Sequence, residues 1–325
     1  QFIDTWGNQK NSEVGKEIGI LLTPFETGLE TGKTNFITTR EETTIFNDCS
    51  IEGEFGLQRI SSAVSSGIGK NTGTPGAIST FKNRYLFSDT SLTGKEFYVL
   101  SKPFEFPFKV GDLIMVWSEN QKYCFIQTPN EIKKDIKELN LKNIYNVSTI
   151  RDPLCENATN VCFRESGECD IVVDSDRVTH RGDEDRTVYY AQTENNALLY
   201  AAIFSEPRLY DCQLKRLMKR SLNIAELYQK KSQYLEASGC GAPRLGAYFI
   251  AYETALDNII DTDTPDITRA EGATEDLGRE NDYLDCKLFY RADENPADGI
   301  CISGSHDLFW HGCFSLLFFI CIEST

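Results

Sequence analysis

No stretch of this 325-residue chain reaches the roughly 18 apolar residues that a membrane-crossing helix requires. That absence excludes a span inside the chain. The opening Gln1-Phe2-Ile3-Asp4-Thr5-Trp6 is neither a signal peptide nor the long apolar helix of a pilin, so any membrane anchor is expected before Gln1. Histidine is scarce, with three residues, and none of the cysteines stands in a C-x-x-C pair, so the usual zinc and dithiol redox spacings are missing. Also missing is a basic stripe interleaved with aromatics. Lys and Arg number 33 against 49 Asp and Glu, and the net charge of −16 repels phosphate backbones and anionic membrane surfaces. Nucleic acid is therefore not an expected partner. The densest basic run, Lys215, Arg216, Lys219 and Arg220, falls inside a helical pattern and reads as one solvated helix face. There are no internal repeats.

What the chain does have is cysteine. Eleven is a high count for a cytosolic protein of this size, and disulfides are the simplest reading, with the oxidising compartment they imply. An odd number leaves one thiol free or bonded between chains. Cys162 and Cys169 are placed to bond to each other, and Cys286, Cys301, Cys313 and Cys321 are further candidates. Two sequons, at Asn146 and Asn157, fit the same compartment as glycosylation candidates. With 40% hydrophobic residues the chain has material for one large or two ordinary cores.

The expected class is α+β: a mainly-β N-terminal part, a β-meander, then a long antiparallel helical hairpin. Residues 1–127 read as mainly β. Phe104, Phe106, Phe108 and Val110 alternate with Glu105, Pro107 and Lys109, a period of two with one face buried. Pro103 and Pro107 cannot donate to a ladder, which predicts an edge strand. Leu113–Trp117 and Tyr123–Ile126 follow as strands, and Ser61 to Thr80 reads as a loop. Residues 128–145 hold a bridging helix, opened by a capping box at Thr128-Pro129-Asn130-Glu131, with Ile132, Ile136 and Leu139 on one face. Residues 146–192 read as the β-meander, in which Val161–Phe163 and Cys169–Val173 flank a turn at Glu165–Glu168. Residues 193–260 form the helical hairpin. Pro207 opens a helix to about Ala237, with Leu214, Leu217, Ile224, Tyr228 and Leu235 as its stripe. If that helix is continuous, its stretch from Cys212 to Ala237 spans about 38 Å at 1.5 Å per residue, which rules out a bond between Cys212 and Cys240. Residues 261–325 are an acidic irregular loop and a C-terminal segment without charge from Leu308 to Ile322.

Motifs with chemistry are weak. Gly67 to Thr72 resembles a phosphate loop, but Val64 stands at the first glycine position and Asn71 at the magnesium-binding hydroxyl. Ser303, His306 and Asp307 hold the atoms of a hydrolase triad without a nucleophile elbow. His306, His311 and Cys313, with Cys301 or Cys321, are a conceivable zinc set. Asp257, Asp261, Asp263, Asp266 and Glu271 form an acidic series that fails the calcium-loop pattern. Arg181-Gly182-Asp183 is an adhesion-like tripeptide in a turn. No catalytic residue, metal ligand or cofactor is assigned on this basis.

Several segments resemble one family. They are Asn47-Asp48-Cys49 with Phe55-Gly56-Leu57-Gln58, Phe81–Ser88, Gly94–Tyr98 and Ser101–Val110. Tyr123-Cys124-Phe125, Val161-Cys162-Phe163, Cys169-Asp170-Ile171 and Ala197–Phe204 running into Cys212–Met218 continue the series. Over roughly residues 15–240 the chain is similar to membrane-anchored surface proteins of DPANN archaea, for which no activity is established. The resemblance implies an N-terminal anchor, an exposed domain outside the cell, and no functional residues to carry over. The function expected is a noncatalytic cell-surface protein of structural or interaction type, self-assembly included, whose partners are other surface proteins or itself. A surface hydrolase is the first alternative and a calcium- or glycan-binding module the second.

Overall fold

The structure, a computed structural model, describes residues 34–64, 75–76, 78–139, 142–164, 168–193, 195–237, 245–284 and 287–290. Twelve strands form two six-stranded sheets. The first sheet has the order β3-β2-β1-β5-β6-β4, with β1 Thr34–Ser50, β2 Leu57–Val64, β3 Ser79–Phe81, β4 Tyr85–Phe87, β5 Ser91–Glu105 and β6 Lys109–Ser118. It is antiparallel except where β4 runs parallel to β6. The second sheet has the order β12-β11-β10-β9-β7-β8, with β7 Tyr123–Ile126, β8 Ile144–Val147, β9 Thr159–Cys162, β10 Ile171–Val173, β11 Arg177–His180 and β12 Arg186–Tyr189. Among the described residues, five α-helices complete the α+β fold: α1 Asn130–Leu139, α2 Ala197–Ile203, α3 Pro207–Ala237, α4 Leu245–Asp261 and α5 Glu271–Asp282.

The strands β6 and β7 bury both faces, which is why Leu113–Trp117 and Tyr123–Ile126 read as continuous apolar runs. In β6, Leu113, Met115 and Trp117 face the main core while Ile114 and Val116 face a second cluster with Ile45, Leu92 and Val99. In β7, Tyr123 and Phe125 face the main core while Cys124 and Ile126 point to the opposite side. All seven residues of α2 are buried, and the helix touches β5 and β6 of one sheet and β11 of the other. Phe204, at its end, stacks on Trp117 with ring centroids 4.5 Å apart, a contact worth about 0.5–1.5 kcal/mol beyond its burial. Because β7 belongs to the second sheet, that sheet extends across residue 127.

The period-two stretch at Phe104–Val110 buries all four of its apolar side chains, but it is not one strand and not an edge. It is the turn between β5 and β6, closed by a cis Phe106-Pro107 bond, and β5 is an interior strand. Pro103 stands opposite Asp112 in the β5–β6 ladder. The expected loop from Ser61 is strand as far as Val64, with Ser62 and Ala63 buried, and strand resumes at Ser79. The helix α1 begins at Asn130 without the expected cap, since the buried Thr128 hydroxyl has no hydrogen-bond partner among the described residues. Residues 271–282, expected to be irregular, form α5, because Thr274, Leu277, Gly278 and Asn281 make one buried face at helical spacing. β9 and β10 are parallel, not a hairpin, while β10, β11 and β12 do form an antiparallel meander.

Three disulfides lie among the described residues: Cys49–Cys212, Cys124–Cys155 and Cys162–Cys169. The last two line the outer face of the second sheet. Disulfides point to an oxidising, extracytoplasmic environment. No helix among the described residues is long and apolar enough to cross a membrane. Cys240, Cys286, Cys301, Cys313 and Cys321 lie outside the described residues.

The basic run of α3 is not a solvated face. Arg216 is 0% exposed. Its guanidinium donates to the carbonyls of Arg84 (2.7 Å), Lys82 (2.9 Å), Phe55 and Phe81 (both 3.3 Å) and to Gln213 Oε1 (2.7 Å). Gln213 in turn donates to Gln58, and Gln58 donates to Asn47. Lys219 reaches the carbonyls of Ile51 (2.7 Å) and Gly53 (2.9 Å), and Arg220 that of Val110 (2.7 Å). The loops at the end of the first sheet present carbonyls with no strand partner, and α3 supplies the donors. Gly56 allows the approach: with φ +61°, an added Cβ would meet Ser50 O at 2.5 Å and Arg216 Cγ at 2.7 Å.

Candidate binding cleft

Two cavities adjoin at one end of the molecule and share Ser175, Gln192 and Thr193 as their common rim. Both owe their shape to turns. The β5–β6 turn supplies Pro103, Glu105, Phe106 and Pro107; the β10–β11 turn supplies Ser175 and Asp176; the segment after β12 supplies Ala191 to Thr193 and Asn195; the start of α5 supplies Glu271, Thr274 and Glu275. These enclose the second cavity, about 670 Å³. The first, about 770 Å³, is lined by Glu131 and Ile132 of α1, Phe163, Arg164, Asp174, Tyr190 and Asn196 among others. Both volumes fall in the ~300–1,000 Å³ range of ligand sites.

The rim is held from several directions. The Gln192 side chain donates to the Ser175 carbonyl at 2.8 Å, and its backbone N–H to Glu271 Oε1 at 3.3 Å. Tyr190 donates its hydroxyl to the Asp174 carbonyl at 2.6 Å. Asn195 donates to the Pro103 carbonyl at 2.6 Å. Behind it, the buried Lys102 ammonium donates to the Asn195 carbonyl at 2.8 Å and pairs with Asp135 at 3.1 Å, while Asp135 also accepts from the Tyr200 hydroxyl at 3.1 Å. The cleft walls are therefore tied to β5, α1 and α2, all rooted in the core.

Electrostatically the two cavities differ. The second carries Glu105, Asp176, Glu271 and Glu275, and among the described residues no lysine or arginine lines it. Asp176 lies 3.9 Å from Arg177, whose closer partner is Asp174 at 3.2 Å. Burial pushes the Glu271 carboxyl up; the hydrogen bond from Gln192 opposes this, and the charges of Glu275, Asp176 and Asp266 add to it. The floor is apolar, formed by Phe106 with Pro103 and Pro107. Such a site offers negative potential above an apolar surface, which suits an organic cation. The first cavity sets Glu131 and Asp174 against Arg164.

Most residues singled out from the sequence lie elsewhere. Asn146 and Asn157 are exposed, Asn157 with φ 58°. Cys162 and Cys169 are bonded to each other. Arg181-Gly182-Asp183 occupies the β11–β12 turn, where Gly182 N–H donates to Asp185 Oδ1 at 3.4 Å. In the acidic series, Asp266 caps a short 3₁₀ turn through Thr268 and pairs with Arg269, and Glu271 lines the cleft. Among the described residues no group of three or more His, Cys, Asp and Glu is arranged to hold a metal. The phosphate-loop-like segment at Gly67–Thr72, the Ser303, His306 and Asp307 set, and His311 with Cys301, Cys313 and Cys321 all lie outside the described residues. The cleft itself was not foreseen, because its residues come from turns and helices far apart in the chain and share no spacing. Comparisons with family models, curated proteins and solved structures return no match.

Proposed function

We propose that this is a noncatalytic extracytoplasmic protein of the cell surface that works by recognition, binding another surface protein or a further copy of itself. The observation that carries this reading is the pair of adjoining cavities held by a rim rooted in the core, in a chain cross-linked for an oxidising compartment. The likeness to membrane-anchored archaeal surface proteins and the two exposed sequons support the setting. An antiparallel hairpin of α3 and α4, with Tyr252 of one against Ser221 of the other, would hold the helical half rigid behind the cleft. Chemical cross-linking on intact source cells, followed by mass spectrometry, tests the reading. Cross-links from cleft residues to envelope proteins or to a second copy support it. A strictly monomeric protein with no envelope cross-link overturns it.

A second reading, a surface hydrolase, has one observation in its favour: Glu271, with its carboxyl raised, shares a cavity with Asp176 and Glu275. Two carboxyls of unequal proton affinity are the working parts of glycoside hydrolysis. Turnover of glycoside substrates that disappears in Glu271→Gln would establish it.

A further inference from the structure

We infer that the acidic cavity is a docking site for a basic segment of a partner protein, taking up a lysine or arginine side chain with its aliphatic stem against Phe106 and Pro107 and its cation among Glu105, Asp176, Glu271 and Glu275. The inference rests on the recognition reading above and names the chemistry of the partner. Three observations combine. The first is charge complementarity: Glu105 at the β5–β6 turn, Asp176 in the β10–β11 turn and Glu271 and Glu275 of α5 line one cavity, and among the described residues no lysine or arginine lines it. The second is the apolar floor. A metal ion or a small hydrated cation gains nothing from Phe106 and the two prolines, whereas the (CH₂) stem of a long basic side chain packs against such a surface while its head stays solvated by carboxylates. The third is adjacency. The acidic cavity shares Ser175, Gln192 and Thr193 with the neighbouring cavity, so a chain crossing those residues would meet both while a single small cation would fill one. The formal charge of −16 acts over longer range, drawing a basic partner in before contact is made.

The test uses the 325-residue chain, disulfides intact, in calorimetric titrations with three probes: an acetylated, amidated hexalysine, the matching hexaglutamate, and 1,5-diaminopentane. Two double variants accompany the parent. Glu271→Gln with Glu275→Gln removes two cleft carboxylates. Glu52→Gln with Glu54→Gln removes two exposed carboxylates outside the cleft. Thermal unfolding of each variant confirms that the fold is kept. The expected result is binding of hexalysine and not of hexaglutamate, a loss of roughly tenfold in the cleft variant, and an unchanged affinity in the outer variant. Equal weakening in both variants shows diffuse attraction and overturns the site. Diaminopentane binding as tightly as hexalysine overturns the assignment to a partner chain. An envelope partner held equally well by the parent and the cleft variant overturns the cleft and leaves recognition standing; no envelope partner for either overturns both.

Discussion

Truncating Arg216 should be among the most damaging single changes in this protein. The guanidinium is inaccessible to solvent and makes five hydrogen bonds, three of them at 2.7–2.9 Å. A bond to a charged donor contributes about 1.5–3 kcal/mol, so the three short ones sum to roughly 5–9 kcal/mol. Against this stands the cost of taking the cation out of water, visible in the way burial pulls its pKa down to about 10. In Arg216→Ala that cost disappears, but four backbone carbonyls lose their donor and a cavity opens. The expected net loss is about 3–5 kcal/mol, a large part of the ~5–15 kcal/mol that holds a typical fold. At about 2–4 °C per kcal/mol this lowers Tm by roughly 6–20 °C. Arg216→Lys should lose most of the same stability, because one nitrogen cannot reach the carbonyls of Phe55, Phe81, Lys82 and Arg84 together. The assay is thermal unfolding by circular dichroism without reductant, together with amide exchange across residues 51–57, which should accelerate. A Tm drop under 2 °C would refute the reasoning, since it would mean that water satisfies those carbonyls as well as the arginine does.

Three further predictions concern other parts of the fold. Burial holds the Asp211 carboxyl up at about 7, against an ordinary 3.8, with Lys215 and Arg186 opposing. The folded state thus favours the neutral acid: this stability is whole below about pH 3.8 and is lost as pH rises through about 7. Asp211→Asn should match the parent near pH 4 and exceed it at pH 8 by at most on the order of 4 kcal/mol; denaturant melts showing a gap that does not change with pH would contradict this. Tyr252→Phe removes the hydroxyl that meets both Ser221 and the Phe106 carbonyl and should cost about 1–3 kcal/mol in the same melts; a neutral result would show the Phe106 carbonyl finding another donor. A peptide map with thiols blocked should return Cys49–Cys212, Cys124–Cys155 and Cys162–Cys169. Mostly free thiols at these positions would remove the argument for an oxidising compartment.

The comparison of sequence with structure turns on what a side chain's type conceals. α3 was readable to both ends, because Pro207 and a sustained apolar stripe are local signals. The alternation at Phe104–Val110 correctly gave the buried face. It could not give the reversal at Pro107, since both arms of a tight hairpin present the same side to the core. α5 was missed because its inner face is Thr274, Gly278 and Asn281 around a lone Leu277, residues that score as polar or breaking. Asn281 is buried because it bonds the backbone of Leu288 and Phe289, a partner that only tertiary structure supplies. Arg216 misled for the same reason. A positional signal did exist: it lies seven residues on from buried Leu209 and next to buried Leu217, on the inner arc of the helix. The cleft had no sequence signature of any kind, being assembled from turns and helices far apart in the chain.

Cys49–Cys212 closes a covalent ring that contains both of the smaller rings, Cys124–Cys155 and Cys162–Cys169. A protease that nicks the backbone once, anywhere between residues 49 and 212, therefore opens a loop without releasing a fragment. The cut protein keeps its mass on a non-reducing gel and keeps α3 bolted to the β1–β2 end, so the two halves of the chain stay joined after damage at an exposed turn. For a molecule working outside the cell, where nothing resynthesises it in place, that ring converts many otherwise terminal cleavages into tolerated ones.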